Sequence, residues 1–487
     1  MSLCKLTIID EVNIKFDGLP VDVRRKISNA LKFDIPYAKH MPQYKLGRWD
    51  GKQAFFGIGG SGYLNHLDVI LPIIEESGIT VDEIIDHRNR IDLSFEPIAE
   101  DFWGDKCWPK GHRFEDQPIR LRDDQVEVIN RFLENPQSLQ EVSTGAGKTI
   151  TTATLSKICE KYGRTLVIVP NTSLVTQTEA DYINCGLDVG VYYGARKELN
   201  KTHTICTWQS LSILDKKTDN GIGVLTLADF LENVNTVIID ETHQAKAEVL
   251  RNLLTKNLHK APIRWGLTGT VPKADYDFQG ILASIGPVVG QVTAKELQDK
   301  GILSQCHVNI VQLLDMKEFR DYQSELKYLV TDEERLKYIA NLVNRVKNTG
   351  NTLVLVDRVN AGEKLTELVD GAVFVRGAVK EKDRKAAYDE IQDATNKVIV
   401  ATYGVAAVGI NIPRIFNVIL LEPGKSFVRV IQSIGRGIRR ANDKDFVQIW
   451  DLTSSCKYAK RHLTQRKKFY QDAQYPFTIE KVDWNKK

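Results

Sequence analysis

From about residue 138 onward, short apolar runs rich in β-branched residues alternate with longer stretches of helical periodicity. The first series of runs covers 138–142, 165–169, 202–206, 236–239 and 264–267. The second covers 307–312, 352–356, 372–375, 397–400, 418–421 and 447–450. Such alternation predicts βαβ units and parallel sheets, here in two successive domains. The junction falls near 301–306, after a helical pattern at 294–300. The charge-rich segment 316–347 predicts one or two surface helices of the second domain. Residues before about 112 lack the rhythm and predict a separate small domain, with a helix over 20–31 that carries Pro at an early position. The expected boundaries are 1–112, 113–303 and 304–455, followed by a basic tail at 456–487.

Composition excludes several classes. The longest apolar stretches are strand-sized, whereas a membrane span needs roughly 20 apolar residues. The start, "MSLCKLTIIDE", reaches acidic residues too early for a signal peptide, so a cytoplasmic protein is expected. Seven cysteines stand without a C-x-x-C pair, which argues against a disulfide framework and a zinc site. The formal net charge of +3 says little about partners, but 456–468 holds six Lys or Arg and no acid.

Ligands of open parallel sheets bind beyond the carboxyl ends of the strands, where this sequence places its unusual residues. "EVSTGAGKTI" (141–150) runs from an apolar strand into Thr144, Gly145, Ala146, Gly147, Lys148 and Thr149, then into a helical pattern. This is a P-loop arrangement: backbone N–H groups close around phosphates at a helix N-terminus. Lys148 would reach the β- and γ-phosphates of ATP, and Thr149 would place its hydroxyl on Mg²⁺. The full pattern wants Gly where Val142 stands. "VIIDETH" (237–243) sets two carboxylates at the mouth of a buried strand. Asp240 is placed to hold Mg²⁺ through water, and Glu241 to orient and deprotonate the attacking water. His243 has no cysteine or second histidine near it, so a relay role suits it better than a zinc site. In "QSIGRGIRR" (432–440), Gln432, Arg436 and Arg439 recur at i, i+4 and i+7, one face of a helix. The two guanidiniums there could clamp phosphate charge.

Together these residues resemble a superfamily 2 helicase or translocase of the DExH kind, with motifs in order over about 120–452. Gln125 in "LRDDQ" resembles the Q motif, which reads adenine. "STGAGKT" resembles motif I, "VPNTSLVTQ" (169–177) motif Ia, "CTWQSL" (206–211) the following strand-contact motif, "DETH" motif II and "LTGT" (267–270) motif III. "VRGAVKEKDR" (375–384) resembles motif IVa, "ATYGVAAVGINIP" (401–413) motif V and "QSIGRGIR" motif VI. The resemblance implies an α/β fold of two tandem RecA-like parallel-sheet domains plus a small N-terminal α+β domain. It also implies ATP and Mg²⁺ as cofactors. Lys148, Asp240, Glu241, Gln432, Arg436 and Arg439 would be catalytic. Gln125, residues 144–149 and Gly409 would hold ATP, with His243, Thr268 and Thr270 as coupling residues. Thr172, Ser173, Thr207, Gln209, Arg376 and Thr402 would touch a nucleic-acid strand. Asn411 stands where many relatives have Asp.

The tryptophan of "TWQSL" and segment 286–305 resemble phage UvsW-type DNA helicases, related to XPB-like and restriction-type motors. That resemblance implies work on branched DNA: fork regression, Holliday-junction branch migration and R-loop unwinding. Expected partners are forked, duplex and single-stranded DNA, with an RNA–DNA hybrid and a single-strand-binding protein as further candidates, and a monomeric state. Two alternatives remain: an RNA helicase with the same core, or a DNA clamp that uses ATP only as a switch. No paired-carboxylate motif stands outside the motor, so a nuclease is not supported.

"YKLGRWDGKQ" (44–53) shares a "W-D-G" segment with that group. Its Asp50-Gly51 pair predicts a two-residue hairpin turn between strands. Lys45, Arg48, Trp49 and Lys52 then either meet DNA or, for Trp49, pack the domain core. The resemblance favours DNA contact. Lys457, Lys460, Arg461, Lys467 and Lys468 predict a basic helix, either holding duplex backbone or simply solvated.

Overall fold

A computed structural model describes residues 2–485 apart from 111, 113, 220, 222–224, 243–246, 273, 377–393 and 406–411. It forms two compact units. One holds Met1–Val142 and Gly147–Gln291, the other Ser143–Ala146 and Val292–Lys487. No described helix is long and apolar enough to cross a membrane.

The first unit is built on an eight-stranded sheet. Its order is Arg196–Lys197, Val189–Tyr193, His203–Thr207, Arg164–Val169, Val234–Asp240, Ile263–Thr268, Gln137–Val142, Val288–Val292. The strands from Val189–Tyr193 to Gln137–Val142 pair in parallel. Strand Arg164–Val169 is buried over its last five residues, as expected of a strand covered on both faces. Helices start where capping side chains permit. Asn171 accepts from Leu174 N at 3.0 Å to open the helix Thr172–Asn184.

The second unit carries a seven-stranded parallel sheet. Its order is Ala372–Val375, Val398–Thr402, Thr352–Val356, Asn417–Leu421, Phe446–Ser454, Gln305–Leu313, Phe477–Val482. Every predicted run in both series overlaps an observed strand, and only the runs at 202–206 and 397–400 start one residue ahead of theirs, His203–Thr207 and Val398–Thr402. The two expected surface helices are Tyr322–Thr331 and Glu333–Val346, opened by Asp321 and Asp332 caps. The residues read as a tail do more than trail. Helix Lys457–Asp472 lies on the sheet, and Phe477–Val482 adds its edge strand. Arg466, one of the six basic residues, is buried. It donates to both Asp451 carboxylate oxygens at 2.8 and 2.9 Å.

The N-terminal residues make a four-stranded mixed sheet, ordered Ser61–Tyr63, Asn13–Asp17, Ser2–Ile8, Ile79–Asp86. Helix Val21–Ala30 follows Pro20 as expected and packs with Leu67–Glu76. The core includes Ile14, Phe16, Ile27, Phe55, Phe56 and Ile70, together with Tyr276 and Ala283 from the first unit's helix Asp275–Ser284.

The expected hairpin at 44–56 is not formed. Pro42 starts a helical turn, Pro42–Lys45, so Tyr44 and Lys45 never enter a strand. Lys52–Ala54 is a strand, but its partner is Lys32–Asp34, in antiparallel register. Asp50-Gly51 still makes a turn. Asp50 accepts from Lys52 N at 3.1 Å and pairs with Lys32 at 2.6 Å. Gly51 has φ +78°, and a Cβ there would lie 2.9 Å from the Tyr44 ring. Trp49 is half-buried, stands outside the N-terminal core and donates its indole N–H to Lys52 O at 2.9 Å.

Candidate active site

Parallel pairing brings the ends of Gln137–Val142, Ile263–Thr268 and Val234–Asp240 to one edge of the first sheet. After Val142 the chain turns through Gly145 at φ +90° and Gly147 at φ +79°. It then enters helix Lys148–Cys159. Only glycine accepts such angles without strain. A Cβ on Gly147 would also meet the Gln125 amide nitrogen at 2.5 Å, so the predicted Q residue does abut the loop. Gln125 Oε1 accepts from Arg122 N at 3.0 Å in a capping box, and Arg122 pairs with Asp124 at 2.8 Å. Thr149 lies in the first turn of the helix.

Lys148 Nζ donates to Glu241 Oε1 at 2.8 Å and to Val142 O at 3.4 Å. Glu241 Oε2 accepts from Gly269 N at 3.4 Å, so one carboxylate touches both the P-loop lysine and the turn after Ile263–Thr268. Glu241 is a non-glycine residue at φ +54°, a strained angle of the kind that gathers at functional sites. Its N–H donates to Asp240 Oδ1 at 2.9 Å. Burial drives the Asp240 carboxyl up from its ordinary range; Lys148 opposes that and Glu241 adds to it. A nearby cation would lower it again. Thr268 Oγ1 donates to Thr270 O at 2.8 Å and accepts from Thr270 N at 3.2 Å, which fixes the turn holding Gly269.

The predicted strand-contact residues of the first unit, Thr172, Ser173, Thr207 and Gln209, gather at the same edge. Thr172 is exposed and Ser173 half-buried at the start of their helix. Gln209 Nε2 donates to Pro170 O at 3.1 Å, and the Thr207 and Ser210 hydroxyls lie 2.9 Å apart. In the second unit Thr402 ends strand Val398–Thr402, and Arg376 pairs with Glu363 at 2.6 Å. Lys45 and Arg48 are exposed, and Lys52 stands 3.6 Å from Asp34. His243, Gly409 and Asn411 lie outside the described residues, as do most of 375–384 and the side chains of Gln432 and Arg436.

Arg439 departs from the expected helix face. Helix Phe427–Gly437 carries Gln432 and Arg436, but it ends before Arg439, which bridges to Leu303. Lys444 is the reason. Its buried ammonium donates to Gly437 O, to Arg439 O at 2.7 Å and to Pro413 O at 2.9 Å, capturing the carbonyls at the helix end. Burial pushes Lys444 down to about 7, helped by Arg439 and opposed by Asp443. Nothing in "ANDKDF" distinguishes this lysine from a surface one.

Comparison with known proteins agrees with this geometry. A family described as "Type III restriction enzyme, res subunit" matches residues 118–273, and "Helicase conserved C-terminal domain" matches 334–441. The chain is a superfamily 2 helicase. This helicase is 25% identical over 367 residues to the "ATP-dependent DNA helicase uvsW" of Enterobacteria phage T4, covering 71% of the chain and 70% of the relative. It is 26% identical over 351 residues to "Putative DNA 3'-5' helicase Rad25" of Haloarcula marismortui, covering 68% and 52%. Among solved structures, a type I restriction enzyme HsdR fragment from Vibrio vulnificus aligns at TM-score 0.56 and 16% identity, covering 97% of the helicase and 85% of the fragment. The DNA-bound type ISP restriction-modification enzyme LlaBIII aligns at TM-score 0.58 and 14% identity, covering 87% and 36%. These likenesses bear on the fold of the helicase.

Proposed function

We propose that the protein is an ATP-driven DNA motor that remodels branched DNA, through fork regression, Holliday-junction branch migration and R-loop unwinding. The carrying observation is the Lys148–Glu241–Gly269 N–H constellation at one sheet edge, beside exposed Thr172 and Gln209. Lys148 takes the β- and γ-phosphates, as a charge-assisted donor freed from Glu241. Glu241, then released, accepts a proton from the attacking water. Gln432, Arg436 and Arg439 are assigned to sensing the terminal phosphate. The DNA preference is supported by the phage and archaeal relatives, whose names describe DNA helicases.

Mg²⁺ fits the donor set. Asp240 is a half-buried carboxylate whose neighbouring positive charge is Lys148, and Thr149 supplies a hydroxyl. No cluster of three or more acidic, His or Cys residues stands among the described residues, so much of the coordination would come from nucleotide and water. When bound, the ion would neutralise developing phosphate charge.

Strand-holding residues are expected to contact phosphates without reading sequence. The test is ATP hydrolysis and strand separation measured in parallel on forks, four-way junctions, tailed duplexes, R-loops and duplex RNA. Preference for junctions and forks supports the reading. Equal or greater stimulation by RNA overturns it in favour of an RNA helicase, and binding without hydrolysis overturns it in favour of a clamp.

A further inference from the structure

Two helices lead away from the hydrolysis site. Ala247–Asn252 begins six residues after Glu241, and Asp275–Ser284 begins five residues after Thr270. The two pack on each other, and strand Lys32–Asp34, paired with Lys52–Ala54 in the N-terminal region, sits against Asp275–Ser284. The joint is polar and buried. The Tyr276 hydroxyl donates to Gln53 Oε1 at 2.9 Å and accepts from Arg251 Nη1 at 3.4 Å. The Arg251 guanidinium stands 5.2 Å from the Phe55 ring centre and 5.6 Å from that of Tyr276. Phe55 and Tyr276 are 5.9 Å apart. Arg251, Tyr276 and Phe55 are 5%, 1% and 3% exposed. At the rim, Tyr37 donates to Glu248 at 3.3 Å.

The position of this joint is unusual. Gln53 is one residue from Lys52 and closes the segment that carries Lys45 and Arg48. Arg251 and Tyr276 each stand on a helix that follows one of the two strand ends touching Glu241 or Gly269. Tyr276 bonds Gln53 directly and Arg251 bonds Tyr276, so a shift of helix Asp275–Ser284 must move Gln53 or break its bond, and helix Ala247–Asn252 acts on it through Tyr276.

We propose that Arg251, Tyr276 and Gln53 are positioning residues that make the grip of segment 44–53 on branched DNA depend on the nucleotide held at Lys148 and Glu241. The proposal rests on the reading that Lys45, Arg48 and Lys52 hold DNA phosphates. A triphosphate that takes Lys148 frees the Glu241 carboxylate from its lysine. The Gly269 turn shares that carboxylate, and the two helices carry the change to Tyr276 and Arg251. The coupling is reciprocal: whatever factor the nucleotide imposes on DNA affinity, DNA imposes on nucleotide affinity. A joint that only bolted the N-terminal region in place would change DNA affinity equally in both nucleotide states.

The test is the affinity of the full chain for a forked duplex, with and without a non-hydrolysable ATP analogue. It compares wild type, Tyr276→Phe, Gln53→Ala and the triple variant Lys45→Ala/Arg48→Ala/Lys52→Ala. Tyr276→Phe keeps the ring and removes only the hydroxyl. The expected wild-type ratio between the two states lies in the usual coupling range, about 5- to 150-fold. In Tyr276→Phe and Gln53→Ala the ratio falls towards one while hydrolysis without DNA is unchanged. A wild-type ratio of one overturns the proposal. So does a ratio retained in both single variants while the triple variant loses fork affinity, an outcome that leaves the DNA-contact reading standing. Full fork affinity in the triple variant overturns both.

Discussion

Lys148 Nζ lies 2.8 Å from Glu241 Oε1, with the two side chains 9% and 11% exposed. The lysine that should grip phosphate is therefore held by the carboxylate that should activate water. Lys148→Ala removes a charge-assisted donor, a contact of about 1.5–3 kcal/mol. It is expected to weaken ATP binding by about 10- to 100-fold, measured by nucleotide titration. Unchanged ATP affinity would remove Lys148 from the phosphate site.

Lys444 ties three carbonyls, those of Pro413, Gly437 and Arg439, and an ammonium has three N–H groups to give. Lys444→Met keeps an unbranched side chain, one atom shorter, and withdraws the ammonium from all three carbonyls, of which Arg439 O still accepts from Ser304 Oγ at 3.4 Å. The second unit should lose stability by about 1–3 kcal/mol for each acceptor left dry, seen as a lower unfolding midpoint. Hydrolysis should fall more than ATP affinity, because the segment carrying Arg439 is no longer held. Wild-type melting and wild-type hydrolysis together would refute the role given to Lys444.

His66 is fully buried against Phe55 and Tyr63, and burial holds it down at about 4, with Gln279 a smaller upward pull. Burial outweighs that pull, so the neutral form is the one that fits. The folded pKa lies below the unfolded one, near 6.5. The unfolded chain therefore binds more protons between these values, and stability rises with pH across that window. The contribution is present above about 6.5 and lost as pH falls towards 4, at most about 3 kcal/mol. Urea unfolding at pH 7.5 and 5.0 checks this. His66→Phe should flatten the pH dependence, and an equal slope in the variant would assign the acid sensitivity elsewhere.

Much of the two large sheets was legible because buried parallel strands such as 165–169 are continuous apolar runs. The strands that escaped notice are mostly edges. Arg196–Lys197 is two residues long, and Phe477–Val482 is largely exposed and interrupted by Glu480 and Lys481. The P-loop and the Asp240-Glu241 pair were readable from local spacing. The salt bridge between Lys148 and Glu241 was not, because it depends on two strands and a helix meeting 93 residues apart. The segment at 44–53 misled for a physical reason. Asp-Gly signals a turn but not which strands it joins, and Pro42 committed the upstream residues to a helical turn. Helix periodicity put Arg439 on a face that the Lys444 cap cuts short. The Tyr276–Gln53 bond spans 223 residues and left no local signal.

In the proposed motor, Glu241 drives the ATP hydrolysis that powers DNA strand separation. This role is tested most directly by comparing wild type with Glu241→Gln, in fork-stimulated ATP turnover and fork unwinding, with nucleotide and DNA binding measured alongside. The glutamine keeps an acceptor for Lys148 but cannot take a proton. Turnover and unwinding should both fall by about 10²- to 10⁴-fold while ATP and fork binding persist. Hydrolysis at the wild-type rate in Glu241→Gln would remove Glu241 from the hydrolytic step.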